Sequence, residues 1–125
     1  MDLTELKNAL KNTDEVEITV TGRASGRKIS NAVWFVQEDD KLYLLPVKGS
    51  DSDWYKNILK TPTMVLTANG KELSAEVRPI TDQAKVRDIV EKFKGKYGAD
   101  QVKKYYSKFD VAVDVPSSGT QRRSA

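Results

Sequence analysis

The amino-acid sequence predicts a mainly β fold with flanking helices, in which about six antiparallel strands curl into a small closed or partly closed barrel. Three observations lead there. Apolar residues recur with a period of two in several short segments, Asn69-Gly70 sits between two such segments as a hairpin signal, and the helical patterns are brief and interrupt hairpins. A βαβ series would alternate strands and helices instead.

Leu3, Leu6 and Leu10, with Ala9 beside them, are spaced for an amphipathic N-terminal helix. From Glu15 to Thr21 the period becomes two, with Val16, Ile18 and Val20 on one face. The turn Gly22 to Arg27 leads into a strand from about Lys28 to Gln37, whose segment Ala32-Val33-Trp34-Phe35-Val36 reads as covered on both faces. A polar turn, Glu38 to Lys41, precedes a strand over Leu42 to Val47, which Pro46 ends or confines to an edge. Helix-starting residues in Lys48 to Asp53 then precede Trp54, Tyr55, Ile58 and Leu59, all expected on one side of a short helix stopped near Thr61-Pro62. Met64 to Ala68 and Glu72 to Ile80 flank the Asn69-Gly70 turn as an antiparallel hairpin. Thr81 or Asp82 caps a helix with the stripe Val86, Ile89, Val90, Phe93 and Tyr97, and a second helical stretch carries Val102, Tyr105, Tyr106 and Phe109. Val111, Val113 and Val115 mark the last strand before Pro116. The organisation expected is one domain over residues 1–116 and a disordered tail over 117–125, which has no apolar anchor.

The 125 residues contain no cysteine and no histidine, which excludes disulfides, zinc fingers and thiol or Ser-His-Asp nucleophiles. No apolar run approaches the roughly 20 residues that span a bilayer, and the polar start Met1 to Glu5 is not a signal peptide, so a cytoplasmic protein without membrane attachment is expected. Lys and Arg number 21 against 18 Asp and Glu, a surplus too mild to indicate nucleic acid. Trp34 and Phe35 are adjacent in a strand and face opposite sides, so one of them needs a cover of helices or a partner subunit. A homodimer is the expectation drawn from that pair.

Positive charge and flexible backbone converge between Gly22 and Lys28: Arg23, Ser25, Gly26, Arg27 and Lys28 supply guanidinium forks, a hydroxyl and accessible amides suited to an anion. The alternative is a solvated basic turn. Lys48, Gly49 and Ser50 form a second candidate loop ahead of a helix start, with a purely structural loop capped by Asp51 and Asp53 as its alternative. Trp54 and Tyr55 point about 100 degrees apart on that helix, so one can anchor it while the other lines a cleft, although two core aromatics are the simpler reading. Tyr97, Tyr105 and Tyr106 read as core or interface rather than as the edge of a ligand pocket, and the lysines of the C-terminal helices as a solvated face rather than a nucleic-acid surface.

The ordered segments Val20 to Arg27, Ala32 to Val36, and Leu42 to Ser50 continuing through Trp54-Tyr55-Lys56-Asn57 resemble the deazaflavin-dependent nitroreductases, within the wider superfamily that includes pyridoxamine phosphate oxidases. The resemblance implies a split β-barrel, a homodimer, and a bound FMN or 8-hydroxy-5-deazaflavin coenzyme F-420. It implies an oxidoreductase that passes hydride to a small organic acceptor, or a non-catalytic flavin or deazaflavin carrier. Arg23, Ser25, Gly26, Arg27 and Lys28 would hold the phosphate-bearing tail. Lys48, Gly49 and Ser50 would contact ring or phosphate, and the helix carrying Trp54 and Tyr55 would close the site. Similar proteins read Gly-Arg-Lys-Ser-Gly-Arg-Pro-Arg with a further proline before the Trp-Phe pair; here Ala24, Lys28, Ile29 and Ala32 stand at those positions, so Ile29 replaces an arginine.

Overall fold

The computed structural model describes residues 8–11, 13–38 and 41–116. Seven strands form one antiparallel sheet: β1 (Glu15–Thr21), β2 (Lys28–Glu38), β3 (Lys41–Leu44), β4 (Thr63–Ala68), β5 (Lys71–Glu76), β6 (Arg78–Ile80) and β7 (Ala112–Pro116). Their order across the sheet is β5-β4-β1-β2-β3-β7-β6. The sheet curls into a split barrel flanked by α1 (Asp53–Lys60), α2 (Gln83–Tyr97) and α3 (Ala99–Tyr105).

β2 organises the molecule. Its first part pairs with β1, from Thr21↔Lys28 to Glu15↔Trp34, and its last part pairs with β3, from Phe35↔Leu44 to Glu38↔Lys41. Alternation along the strands sends Val16, Ile18, Val20 and Phe35 into the barrel, where they meet Leu42, Leu44, Met64, Leu66, Val113 and α1. Each large aliphatic side chain buried there contributes roughly 1.5–3 kcal/mol. A second core lies outside the barrel, where Val36, Tyr43 and Leu45 pack against Val86, Ile89, Val90 and Phe93 of α2 and Val102 of α3. The opposite facing of Trp34 and Phe35 is therefore met within the chain: Phe35 is in the barrel, and Trp34 stacks on Tyr97 of α2 at 4.1 Å with the rings 7° from parallel.

Several expectations change in detail. The strand expected over Leu42 to Val47 is paired only over Lys41–Leu44, because Leu45 and Pro46 turn away toward the next loop. The run expected from Glu72 to Ile80 breaks at Val77, whose N–H donates to the Pro62 carbonyl at 2.8 Å; β5 stays with β4 while β6 crosses to β7. Pro79 is tolerated because β6 is the outermost strand. Ala32 is exposed rather than covered, Leu59 is 56% exposed, and α3 stops at Tyr105 short of Tyr106 and Phe109. Asn69 and Gly70 both have positive φ, 49° and 78°, as the expected two-residue hairpin turn requires. Asp82 caps α2, accepting from the Lys85 N–H at 3.1 Å. Asn8 and Ala9 are helical and Leu10 is buried in the barrel core; Leu3, Leu6 and the tail 117–125 lie outside the described residues. Among the described residues no helix is long and apolar enough to cross a membrane.

Candidate functional site

Beyond the Phe35↔Leu44 pair, β2 and the chain leading out of β3 diverge. The fork between them is an open groove of three adjoining hollows. The first, about 280 Å³, lies at the Gly22 to Ser25 turn and is bounded by Ile29, Asp53 and Asn57. The second, about 460 Å³, shares those three residues and runs between β2 (Asn31, Ala32, Val33) and Val47, Lys48 and Trp54. The third, also about 460 Å³, shares Ala32, Val33 and Val47 and ends on Trp34, Tyr105 and Tyr106. Ile29, Val47 and Tyr105, each 41% to 50% exposed, line the groove. Scattered exposed apolar residues are ordinary; here three lie along one concave path that also carries Lys48, Asp51 and Asp53.

The two loops anticipated as a site are joined through α1. Asn57, buried on the same side of α1 as Trp54 and Ile58, accepts from the Arg23 N–H at 3.0 Å and from Arg23 Nη1 at 2.8 Å. The Arg23 guanidinium also lies 3.6 Å from the Asp53 carboxylate, and Lys60 Nζ donates to the Arg23 carbonyl at 2.9 Å. Arg23 thus fastens the turn to the helix. At the other end, Ser52 at the N-cap of α1 turns its hydroxyl to accept from the Lys48 N–H at 2.8 Å rather than capping the helix.

Asp110 holds the second loop. Its carboxylate accepts from the Ser50 N–H at 2.9 Å and the Ser50 hydroxyl at 2.5 Å. Lys108 reaches Asp51 at 3.1 Å and Asp110 at 3.8 Å, and the Ser107 N–H donates to the Val47 carbonyl at 2.9 Å. Burial alone would raise the Asp110 carboxyl; the Ser50 hydroxyl and amide, followed by Lys108, outweigh it and hold it below the ordinary carboxylate value. Gly49 has φ +56°, and a Cβ there would fall on Asp110 Oδ1.

Of the anticipated residues, Arg23 and Ser25 border the first hollow and Lys48 and Trp54 the second. Gly49 is buried, and the amides of Lys48, Gly49 and Ser50 all donate within the chain, to Ser52, Pro46 and Asp110. Tyr55 is in the barrel core, its hydroxyl pKa raised by burial and then by Asp110. Lys28 donates to Thr21 Oγ1 at 3.0 Å. Gly26 and Arg27 are exposed, and the Arg27 side chain has no partner in the chain among the described residues. Asn57 and Asp110 were missed. Asn57 carried one signal, an amide within the otherwise apolar helix stripe Trp54 to Ile58; Asp110 carried none, since its partner is 60 positions away.

At the far end, the Tyr97 hydroxyl accepts from the Phe35 N–H at 3.1 Å and lies 2.8 Å from the Phe35 carbonyl, where β2 changes partner. Burial pushes its pKa up to about 12 and that of Tyr106 higher still, so both remain neutral donors near pH 7. Among the described residues that line the groove this leaves orienting and charged groups and no nucleophile–base pair. The fork combines apolar Ile29, Val33, Val47 and Trp54 with Lys48, Arg23 and the carboxylates of Asp51 and Asp53, so a planar ring would lie on the apolar residues, and redox chemistry would have to come from that ring.

Comparisons with known proteins agree with this architecture. A family model described as "Uncharacterized protein conserved in bacteria (DUF2255)" matches residues 5–113. A search of curated protein sequences gave no match. Among solved structures, an F420-H2-dependent reductase (FDR-A) superposes with a TM-score of 0.63 at 21% identity, over 82% of this chain and 93% of that one. A putative 5-nitroimidazole antibiotic resistance protein from Bacteroides thetaiotaomicron gives 0.69 at 16% identity, over 92% and 79%. The heme storage protein HutZ from Vibrio cholerae gives 0.68 at 13% identity, over 94% and 90%. These likenesses carry the fold, and they bear out the split-barrel resemblance read from the sequence. Built on a split-barrel fold, the chain belongs to the bacterial family DUF2255.

Proposed function

We propose that the protein binds a flavin or deazaflavin, FMN or coenzyme F-420, in the forked groove and passes hydride from it to a small organic acceptor. The observation that carries this reading is the continuity of the groove, from the basic turn at Arg23 past Lys48 and Trp54 to the aromatic end at Trp34, Tyr105 and Tyr106. The reductase descriptions of structural neighbours support it. The bound cofactor would supply the hydride chemistry.

The chain's own residues bind and orient. Ile29, Val33, Val47 and Trp54 form apolar walls that exclude water from a ring face. Lys48, with Arg27 and Lys28 at the turn, compensates phosphate charge, while Ser25 adds a hydroxyl; Arg23 positions the turn through Asn57. Gly26 permits the turn's backbone, and Gly49, Ser50 and Tyr55 act from beneath by fixing the loop that carries Lys48. Tyr105 and Tyr106 border the space left for an acceptor. A homodimer belongs to the same proposal, supported by a structural neighbour described as a domain-swapped dimer.

Titration with FMN and with F-420, followed by absorbance, tests the assignment directly. Saturable binding of either, then reoxidation of the reduced form by a nitro or quinone acceptor, is the expected result. Binding without turnover would convert the reading to a carrier, and binding of neither would end it. Light scattering across the micromolar range reports whether two copies associate.

A further inference from the structure

We propose that the backbone N–H and C=O of Ala32 are the recognition pair for the cyclic imide edge of the ring in this groove, an inference that rests on the flavin or deazaflavin reading above. The argument begins with parity. At one end of the β1–β2 pairing the Gly22 N–H donates to the Arg27 carbonyl at 2.8 Å, and at the other the polar atoms of Phe35 meet Tyr97 and Lys96. The register between them runs without a bulge from Thr21↔Lys28 to Glu15↔Trp34. Odd-numbered residues of β2 therefore aim their backbone groups toward β1, and Ser30, Ala32 and Trp34 aim theirs the opposite way. β3 begins to pair only at Phe35, so among the described strands none lies along that edge of Ser30 and Ala32.

An unpaired sheet edge normally recruits another strand. Here the edge faces a fork whose opposite wall is Val47, Lys48 and Trp54, and Ala32 alone of the edge-facing residues lines both 460 Å³ hollows. Its methyl group leaves the strand edge unobstructed. Val33, Val47 and Trp54 supply apolar surface beside Ala32, which suits a flat ring rather than a peptide with side chains on alternating faces, while Lys48, Asp51, Asp53 and Asn57 make the rest of the lining polar. A ring whose rim carries N–H beside C=O pairs with one strand residue as a neighbouring strand would: Ala32 N–H donates to the ring carbonyl and Ala32 C=O accepts from the ring N–H. Flavins and deazaflavins share that rim, so this contact selects the class and leaves the choice between them to the rest of the groove.

Proline tests the donor without disturbing the β1 ladder, because the Ala32 N–H is not part of it. Ala32→Pro is compared with the unaltered protein using whichever of FMN and F-420 binds, and using the same compound methylated on its imide nitrogen. The unaltered protein should bind the methylated compound roughly tenfold more weakly, Ala32→Pro should lose roughly tenfold for the parent compound, and the variant should discriminate little between the two. The Ala32 amide should exchange its proton quickly in the free protein and slowly with ligand bound. Equal affinity of the unaltered protein for parent and methylated compounds overturns the inference while leaving the cofactor reading intact, and it does so even if the proline variant does not fold. Slow exchange at Ala32 without ligand overturns it in favour of strand pairing with another copy. Failure of both parent compounds to bind removes the cofactor reading and this contact together.

Discussion

Replacing Gly49 with alanine strikes the loop that forms one wall of the groove. At φ +56° an L-residue carries roughly 1–2 kcal/mol of backbone strain. The added Cβ would also overlap Asp110 Oδ1 and lie 3.0 and 3.1 Å from Lys108 side-chain carbons. Relief requires the carboxylate to swing away from Ser50, giving up two hydrogen bonds to a charged acceptor, each worth about 1.5–3 kcal/mol. Strain and lost bonds together come to about 4–8 kcal/mol, with loop relaxation pulling the result toward the lower figure. That is a large share of the roughly 5–15 kcal/mol that stabilises a typical domain. Urea unfolding followed by tryptophan fluorescence reads the change, and a double-mutant cycle assigns its cause. In an Asp110→Ala background the carboxylate is gone and only the flexible Lys108 side chain remains close, so Gly49→Ala should then cost little more than the strain, about 1–2 kcal/mol. A cost below about 1 kcal/mol in the unaltered background, or an equal cost in both, would refute the reasoning.

Other outcomes follow from the same geometry. Asp110 has a lowered carboxyl pKa in the folded protein, so its contribution is full above the unfolded value of about 3.9 and disappears as pH falls through the lower folded one; the stability gap between the unaltered protein and Asp110→Asn should close between neutral pH and strong acid. Tyr97→Phe leaves the Phe35 N–H without its hydroxyl partner and should cost about 1–3 kcal/mol, with a change in Trp34 emission. Because the Tyr97 hydroxyl pKa is raised to about 12, the unfolded chain deprotonates first, so stability should fall as pH rises from about 10 toward that value, and less in Tyr97→Phe. Arg27→Ala should leave stability unchanged and weaken cofactor binding by about 1–3 kcal/mol; an unchanged Kd removes Arg27 from the site.

What the sequence revealed depended on the range of the interaction responsible. β1, the Asn69-Gly70 hairpin and the Asp82-capped α2 are written in local signals: a period of two, a turn that demands positive φ, and a cap three residues before its donor. The break at Val77 is hidden because Glu72 to Arg78 alternates without interruption, while the change of partner is decided by Pro62 and β7. The groove was half legible. Arg23, Ser25, Lys48 and Trp54 announced themselves by residue type, yet the exposure of Ala32 follows from β3 beginning its pairing only at Phe35, which no spacing reveals. Tyr97 fits an apolar stripe and reads as core or interface, whereas its hydroxyl serves a strand 62 positions earlier.

That service has a mechanical side. Where β2 passes from one neighbour to the next, a helix-borne phenol takes the place of a strand's backbone, and Lys96 Nζ reinforces it at 2.9 Å from the Phe35 carbonyl. The point where β2 changes neighbour is consequently tethered to α2. On the proposed cofactor reading, Tyr97→Phe should change the cofactor's dissociation rate although Tyr97 lines none of the three hollows.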